Sequence, residues 1–192
     1  MPKLGMEPIR RDALIKATIA EIAQTGALEV TVSRIARRAG MSSALAHHYF
    51  GSKDAMFLAA MRHVLSVYGA EVRGALAAAD GPQARVQALI RASFTPTSFR
   101  REVIAAWLNF YVLAQTRADA ARLLGVYQRR LVSNLGHALR PVAGARARPL
   151  ADGVAAMIDG VYLREALGAG EPDGRAAARM VEDWLAAQLR TA

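Results

Sequence analysis

The amino-acid sequence predicts an all-α protein: an N-terminal three-helix unit of helix-turn-helix form, then a C-terminal helical bundle, about nine helices in all. Three observations carry this reading. Apolar residues recur every three or four positions along almost the whole chain, the period of a helix with one buried face. Gly, Pro, Ser and Thr stand between those stretches, where helices start and stop. No stretch alternates apolar and polar residues as a half-buried strand would.

The first helix carries Ile9, Ala13, Ala17, Ala20, Ile22 and Ala23 on one stripe, and Gly26 is expected to stop it. Thr31 or Ser33 can cap a short second helix over 34–39. Gly40 closes it, because glycine adopts the left-handed backbone of a tight turn at little cost. Ser42 caps a third helix over 43–50, and Gly51 breaks it. Ser52 then caps a long helix from Lys53 to about Ala79, with Met56, Ala60, Val64, Val67 and Val72 inward. Asp80-Gly81-Pro82 is a turn with proline at the next helix start. Further helices are expected over 82–94, 98–116, 118–140, 148–168 and 173–190. Thr95-Pro96, Pro141 with Gly144, and the run 168–172 separate them.

Composition bounds the function. The chain has 192 residues, 53% of them apolar, enough for a sizeable core in one domain or two small ones. With no cysteine there is no disulfide, thiolate metal site or cysteine nucleophile. The N-terminus lacks the apolar run of a secretory signal. The longest apolar run, 103–114, is interrupted by Asn109 and falls well short of the ~20 residues of a membrane span. A cytoplasmic protein with no membrane partner is expected. The net charge of +9 suggests an anionic partner. Residues 1–53 hold eight Lys/Arg against four Asp/Glu, so charge per residue is denser there than in the remainder.

That end also carries the informative motif. Two short helices meet at Gly40, with Ile35, Ala36 and Ala39 apolar on one and Ala46, Tyr49 and Phe50 on the other. This is the pattern of a helix-turn-helix. Ser43, Ala44, His47 and His48 point outward from the second helix, small or hydrogen-bonding groups that can approach base edges. Arg34, Arg37, Arg38 and Lys53 surround it where phosphates would lie. Double-stranded DNA is therefore the expected partner.

The stretch from Ala36 to Met56, with Gly40, Ser42, His48-Tyr49-Phe50, Ser52-Lys53 and Asp54, resembles the DNA-binding segment of the TetR family of bacterial repressors. The length and the layout of a long helix followed by a bundle resemble that family too. The resemblance implies that Ser43, Ala44, Leu45 and His47 face bases. It implies that Tyr49 and Lys53 hold phosphates, aided by Thr31, Ser33 and Arg34, with Ser42 and His48 at the same interface. Leu45 and His47 depart from the commoner family residues. With the opening Pro2-Lys3-Leu4-Gly5-Met6-Glu7-Pro8 and the stretches Ala106-Trp107-Leu108 and Asp159-Gly160, they resemble the branch that responds to choline and controls glycine-betaine synthesis. Residues 1–53 would then form the DNA-binding domain, and 54–192 the effector-binding and dimerisation domain.

One such module covers little DNA, so a homodimer on a palindromic operator is expected. Leu150, Val154, Met157, Ile158, Val161 and Leu167 on the eighth helix, with Ala177, Met180, Val181, Trp184 and Leu185 on the ninth, are the candidate dimer surface. Gly153 and Gly160 would allow close approach. For an effector, Trp107, Phe110 and Tyr111 lie on one helix face, with Tyr127, Tyr162 and Phe94 in reach. Aromatic faces hold a quaternary ammonium ion, which cannot donate strong hydrogen bonds. Asp159, one turn before Tyr162, or Glu102 could balance its charge, and Asn109 could bond a ligand hydroxyl or its own backbone. Choline is the expected effector, with no cofactor and no metal. A family member answering to a lipophilic or drug-like ligand is the alternative. Catalysis is not expected: His47, His48, His63 and His137 lack metal-ligand spacing, and no nucleophile elbow or phosphate loop is present.

Overall fold

The computed structural model describes residues 5–190, the side chains of 25–29 excepted. Of the opening motif, Pro2, Lys3 and Leu4 lie outside the described residues. Nine α-helices and no strand occur among the described residues. They are α1 (Met6–Glu29), α2 (Val32–Arg38), α3 (Ser43–Phe50), α4 (Lys53–Ala78), α5 (Gly81–Ala92), α6 (Arg101–Thr116), α7 (Ala118–Ala143), α8 (Ala147–Leu167) and α9 (Gly174–Arg190). A single 3₁₀ turn, Gly144–Arg146, joins α7 to α8.

The helices bury two apolar clusters. Leu14, Ile22, Val30, Ile35, Ala46 and Met56 centre the smaller, which holds α1, α2 and α3 against the start of α4. The larger is built by α4 to α9, with Leu89, Ile90, Phe110, Leu135, Leu139, Val154, Ile158 and Val181 fully enclosed. Because α1 packs on both α4 and α6, it spans the two units. Ile19 on α1 belongs to the larger core.

Several boundaries differ from the sequence expectation: α2 starts at Val32 and not 34, α5 ends at Ala92 and not 94, and three others have a clear local reason. α1 runs through Gly26 to Glu29. An interior glycine costs about 1 kcal/mol, less than two packed faces supply. The helix stops where Val30 turns to extended backbone and buries its side chain. α7 continues past Pro141 to Gly144, whose positive φ of 53° ends it. α6 begins at Arg101, not 98. Thr95 and Ser98 donate instead to the Glu71 carboxylate on α4, at 2.9 and 2.6 Å, and hold 95–100 as a turn.

Candidate functional site

The N-terminal helices are locked by their caps. Thr31 accepts a hydrogen bond from the Arg34 amide at 3.3 Å, so Thr31 caps α2. Ser33 instead accepts from the Ser43 hydroxyl at 3.0 Å, tying α2 to the start of α3. Ser42 accepts from the Leu45 amide at 3.2 Å, and Ser52 from the Ala55 amide at 3.1 Å. Gly40, at φ 67°, makes the turn between α2 and α3. Burial of Ala46 fixes which side of α3 turns inward.

The outward side of α3 is then determined. Ala44, His47 and His48 are exposed, and Ser43 and Leu45 are half-buried beside them. His47 Nδ1 lies 3.0 Å from the Gly51 carbonyl. A carbonyl only accepts, so Nδ1 carries the proton, and Nε2 of the neutral ring is left as an acceptor. The Tyr49 ring packs on the smaller cluster, while its hydroxyl accepts from Arg10 at 3.5 Å. Lys53 opens α4, its ammonium 6.0 Å from the Phe57 ring.

The arginines do not all face outward. Arg34 and Arg38 turn in, each donating Nε–H to the Glu21 carboxylate, at 3.1 and 2.5 Å. Arg38 also bonds Gln24. Glu21 is only 5% exposed. The Arg38 hydrogen bond, with that of Arg34, holds its carboxyl below the usual range despite the burial. The pair therefore fastens α2 to α1. Arg37 is exposed on α2, and Arg38 stays exposed despite its bond to Glu21.

A second constellation lies inside the bundle. Trp107 and Tyr111 on α6 meet Tyr127 on α7 and Tyr162 on α8. The Trp107 ring is 4.6 Å from Tyr127, 5.7 Å from Tyr111 and 6.1 Å from Tyr162. Phe110 backs Trp107 at 6.0 Å from within the core. The Tyr111 hydroxyl donates to Asp159 Oδ1 at 3.1 Å. Asp159 makes no ion pair among the described residues. Desolvation raises its pKa, and the Tyr111 hydrogen bond opposes that only in part. Burial and then the Asp159 charge push the Tyr111 phenol far above its ordinary value. A half-buried carboxylate with no cation beside it among the described residues, next to an aromatic cluster, favours a soft positive charge.

Tyr68 on α4 completes the ring at 5.8 Å from Tyr127, a member sequence reasoning missed. Its helical spacing from Val64 and Val72 was the available signal. Tyr68 and Tyr127 form the inner wall of a cavity of about 200 Å³ between α4 and α7. Tyr162 also donates to the Ser93 carbonyl at 2.5 Å, with the Ser98 carbonyl 3.1 Å away. Phe94 stacks on it at 6.0 Å. Glu102 is elsewhere, on the wall of a separate cavity of about 480 Å³ with Lys16 and His63. Asn109 donates to the Ala105 carbonyl at 2.8 Å and so takes the backbone alternative.

Residues 14–60 match the family of bacterial regulatory proteins of the tetR type, and residues 82–190 match that described as BetI-type transcriptional repressor, C-terminal. The chain is 53% identical over 190 residues to the HTH-type transcriptional regulator BetI of Brucella melitensis biotype 2, covering 98% of this chain and 96% of that one. This chain belongs to the BetI branch of the TetR family. The BetI of Rhizobium meliloti is 47% identical, covering 99% and 94% of the two chains. Among solved structures, a transcriptional regulator from Pseudomonas aeruginosa PAO1 superposes with a TM-score of 0.78 at 26% identity, over 98% of this chain and 93% of that one. A regulator from Saccharomonospora viridis, solved in complex with choline, has the same fold at a TM-score of 0.81 and 20% identity, over 91% and 94%. As a BetI-type TetR regulator the protein is a DNA-binding transcriptional repressor and not an enzyme. No described helix is long and apolar enough to cross a membrane.

The expected dimer stripes divide on inspection. Leu150, Val154, Ile158, Val161, Ala177, Val181 and Leu185 are buried within the chain itself, because α8 and α9 cover the bundle with that face. Gly153 serves the same internal packing: a β-carbon there would lie 2.6 Å from the Trp184 ring. What stays outside is a second apolar face, with Leu163, Leu167 at 74% exposure and Met180 at 50%. Met157 is half-buried beside it, and Gly160 has open space over its backbone.

Proposed function

We propose that this BetI-type regulator binds a palindromic operator as a homodimer in the cytoplasm and releases it when choline enters the bundle. The observation that carries the effector is Asp159: a half-buried carboxylate with no basic partner among the described residues, hydrogen-bonded by Tyr111, whose ring meets Trp107 and through it Tyr127 and Tyr162. The quaternary ammonium of choline supplies the missing charge without donating a hydrogen bond, and each aromatic face adds roughly 0.5–2 kcal/mol. The choline bound to the S. viridis regulator, which shares this fold, supports the same reading.

On the DNA side, residues 1–53 form the reading domain and 54–192 the sensing and dimerising one. Ser43, Ala44, Leu45 and His47 read bases. Leu45 suits a thymine methyl, and His47 Nε2 accepts from a base amino group. Ser42, His48, Tyr49 and Lys53 hold phosphates, with Thr31 and Ser33 at the start of α2. Arg34 positions α2 through Glu21. The dimer forms through the outer face of α8 and α9, where Leu163, Leu167 and Met180 are exposed.

The two ends are joined through α4. Tyr68 of α4 is part of the aromatic wall, and Glu71 one turn on holds the 95–98 turn. That turn receives the Tyr162 hydroxyl. At the other end of α4, Asp54 pairs with Arg117 at 3.0 Å. Choline that reorders the aromatic wall shifts α4 and with it the spacing of the two α3 helices. A nearly complete switch needs about 5.5 kcal/mol of preference for the released state. The test is binding to the DNA upstream of the protein's own gene at fixed salt, against scrambled competitor, with and without millimolar choline. Selective binding that choline abolishes is expected. Selective binding indifferent to choline would reject the effector.

A further inference from the structure

Resting on the choline reading, the geometry points to a second determinant in the cavity between α4 and α7, which shares the Tyr127 ring with the aromatic cluster: an anion-binding rim that selects ligands carrying a negative group beside the quaternary ammonium. The cavity between α4 and α7 has an aromatic inner wall, Tyr68 and Tyr127, and its rim bears Arg73, Arg130 and Asn134. Arg73 folds back over Gly69, which also lines the cavity. A β-carbon on Gly69 would sit 3.4 Å from the guanidinium, so the bare backbone leaves room for the arginine to lie along the wall. Arg73 and Arg130 are exposed, and neither has an acidic partner among the described residues.

The surrounding sequence deepens this. From Arg122 to Arg148 there is no Asp or Glu, and Arg122, Arg129, Arg130 and Arg140 all come from α7. The Glu71 carboxylate on α4 is already taken by Thr95 and Ser98. A bare cation such as choline therefore meets a rim of its own sign before it reaches the aromatic wall. A zwitterion does not. Its ammonium takes the Tyr68 and Tyr127 rings, and its phosphate or carboxylate takes the guanidiniums and the Asn134 amide, through charge-assisted hydrogen bonds. The volume of about 200 Å³ suits a ligand of choline size with one small anionic group.

The experiment is calorimetric titration of the full-length protein with choline, choline phosphate and glycine betaine, in wild type and in the R73Q/R130Q variant, at low and high salt. At least one zwitterion should bind the wild type about tenfold or more tightly than choline at low salt. The advantage should shrink at high salt, because the arginines are exposed. It should vanish in R73Q/R130Q, where choline binding is kept or improved. Which zwitterion gains identifies the anion as phosphate or carboxylate. The inference is overturned if neither zwitterion outbinds choline, or if the advantage survives the double substitution. Choline binding alone would sink only this inference, whereas binding of none of the three would sink the choline reading with it.

Discussion

Replacing Asp159 by Asn removes one charge and almost nothing else. The amide oxygen still accepts from the Tyr111 hydroxyl, now 3.1 Å from Oδ1, and the volume is kept. At an effective dielectric of about 20, opposite unit charges about 5 Å apart attract by about 3 kcal/mol. The aromatic contribution is unaffected, so choline binding should weaken about 30- to 150-fold without disappearing. Two linked effects follow from the raised pKa of Asp159. A folded-state value above the unfolded one contributes stability at low pH that is lost as pH rises through the folded value. D159N removes that loss and should melt slightly higher than wild type at neutral pH in the absence of ligand. Choline favours the carboxylate, so wild-type choline affinity should fall as pH is lowered into the range where Asp159 takes up its proton, and D159N should lack that fall. Calorimetric titration across pH reads both. An unchanged choline affinity in D159N, or the same pH dependence in both proteins, would refute the reasoning.

Glu21→Gln removes the charge that holds Arg34 and Arg38. Discounted for the partly exposed arginines, the cost is about 1–2 kcal/mol, or a Tm lower by roughly 2–6 °C. Because the Glu21 pKa is lowered, its contribution is present above the unfolded value and lost as pH falls through the folded one, so thermal melts of E21Q and wild type should converge in acid. L167E/M180E places charge on the exposed face of α8 and α9 and should give monomers in sedimentation, with helical content retained. His47→Ala should relax the preference for a base with a free amino group at one operator position, by about 1–3 kcal/mol, in a binding series over single-base variants. An unchanged ranking would remove His47 from base reading.

The short-range features were legible in the sequence because local chemistry decides them. Ser42, Ser52 and Gly40 stand where a cap or a left-handed turn is required, and α3 occupies the span that capping implied. The all-helical class followed from periodicity alone. The end of α1 was not legible, since it depends on packing against α4 and α6 that outweighs one interior glycine. The dimer stripes show the same limit from the other side. Periodicity marks an apolar face but not its neighbour: most of the expected stripe on α8 and α9 is buried within the chain, while Leu163, Leu167 and Met180 are left exposed. The aromatic cluster was half legible. Trp107 and Tyr111 share a helix face by spacing, whereas Tyr68 and the inward turn of Arg34 and Arg38 onto Glu21 depend on contacts between distant segments.

The central claim is that the charge at Asp159 is read out at α3. The most direct test is operator binding by wild type and D159N side by side, followed by fluorescence anisotropy as choline is titrated in. The account predicts equal operator affinity for both proteins without ligand, release of the wild type by choline, and a release midpoint for D159N displaced about 30- to 150-fold upward. Coincident release curves, or a D159N protein that no longer distinguishes the operator from scrambled DNA, would contradict it.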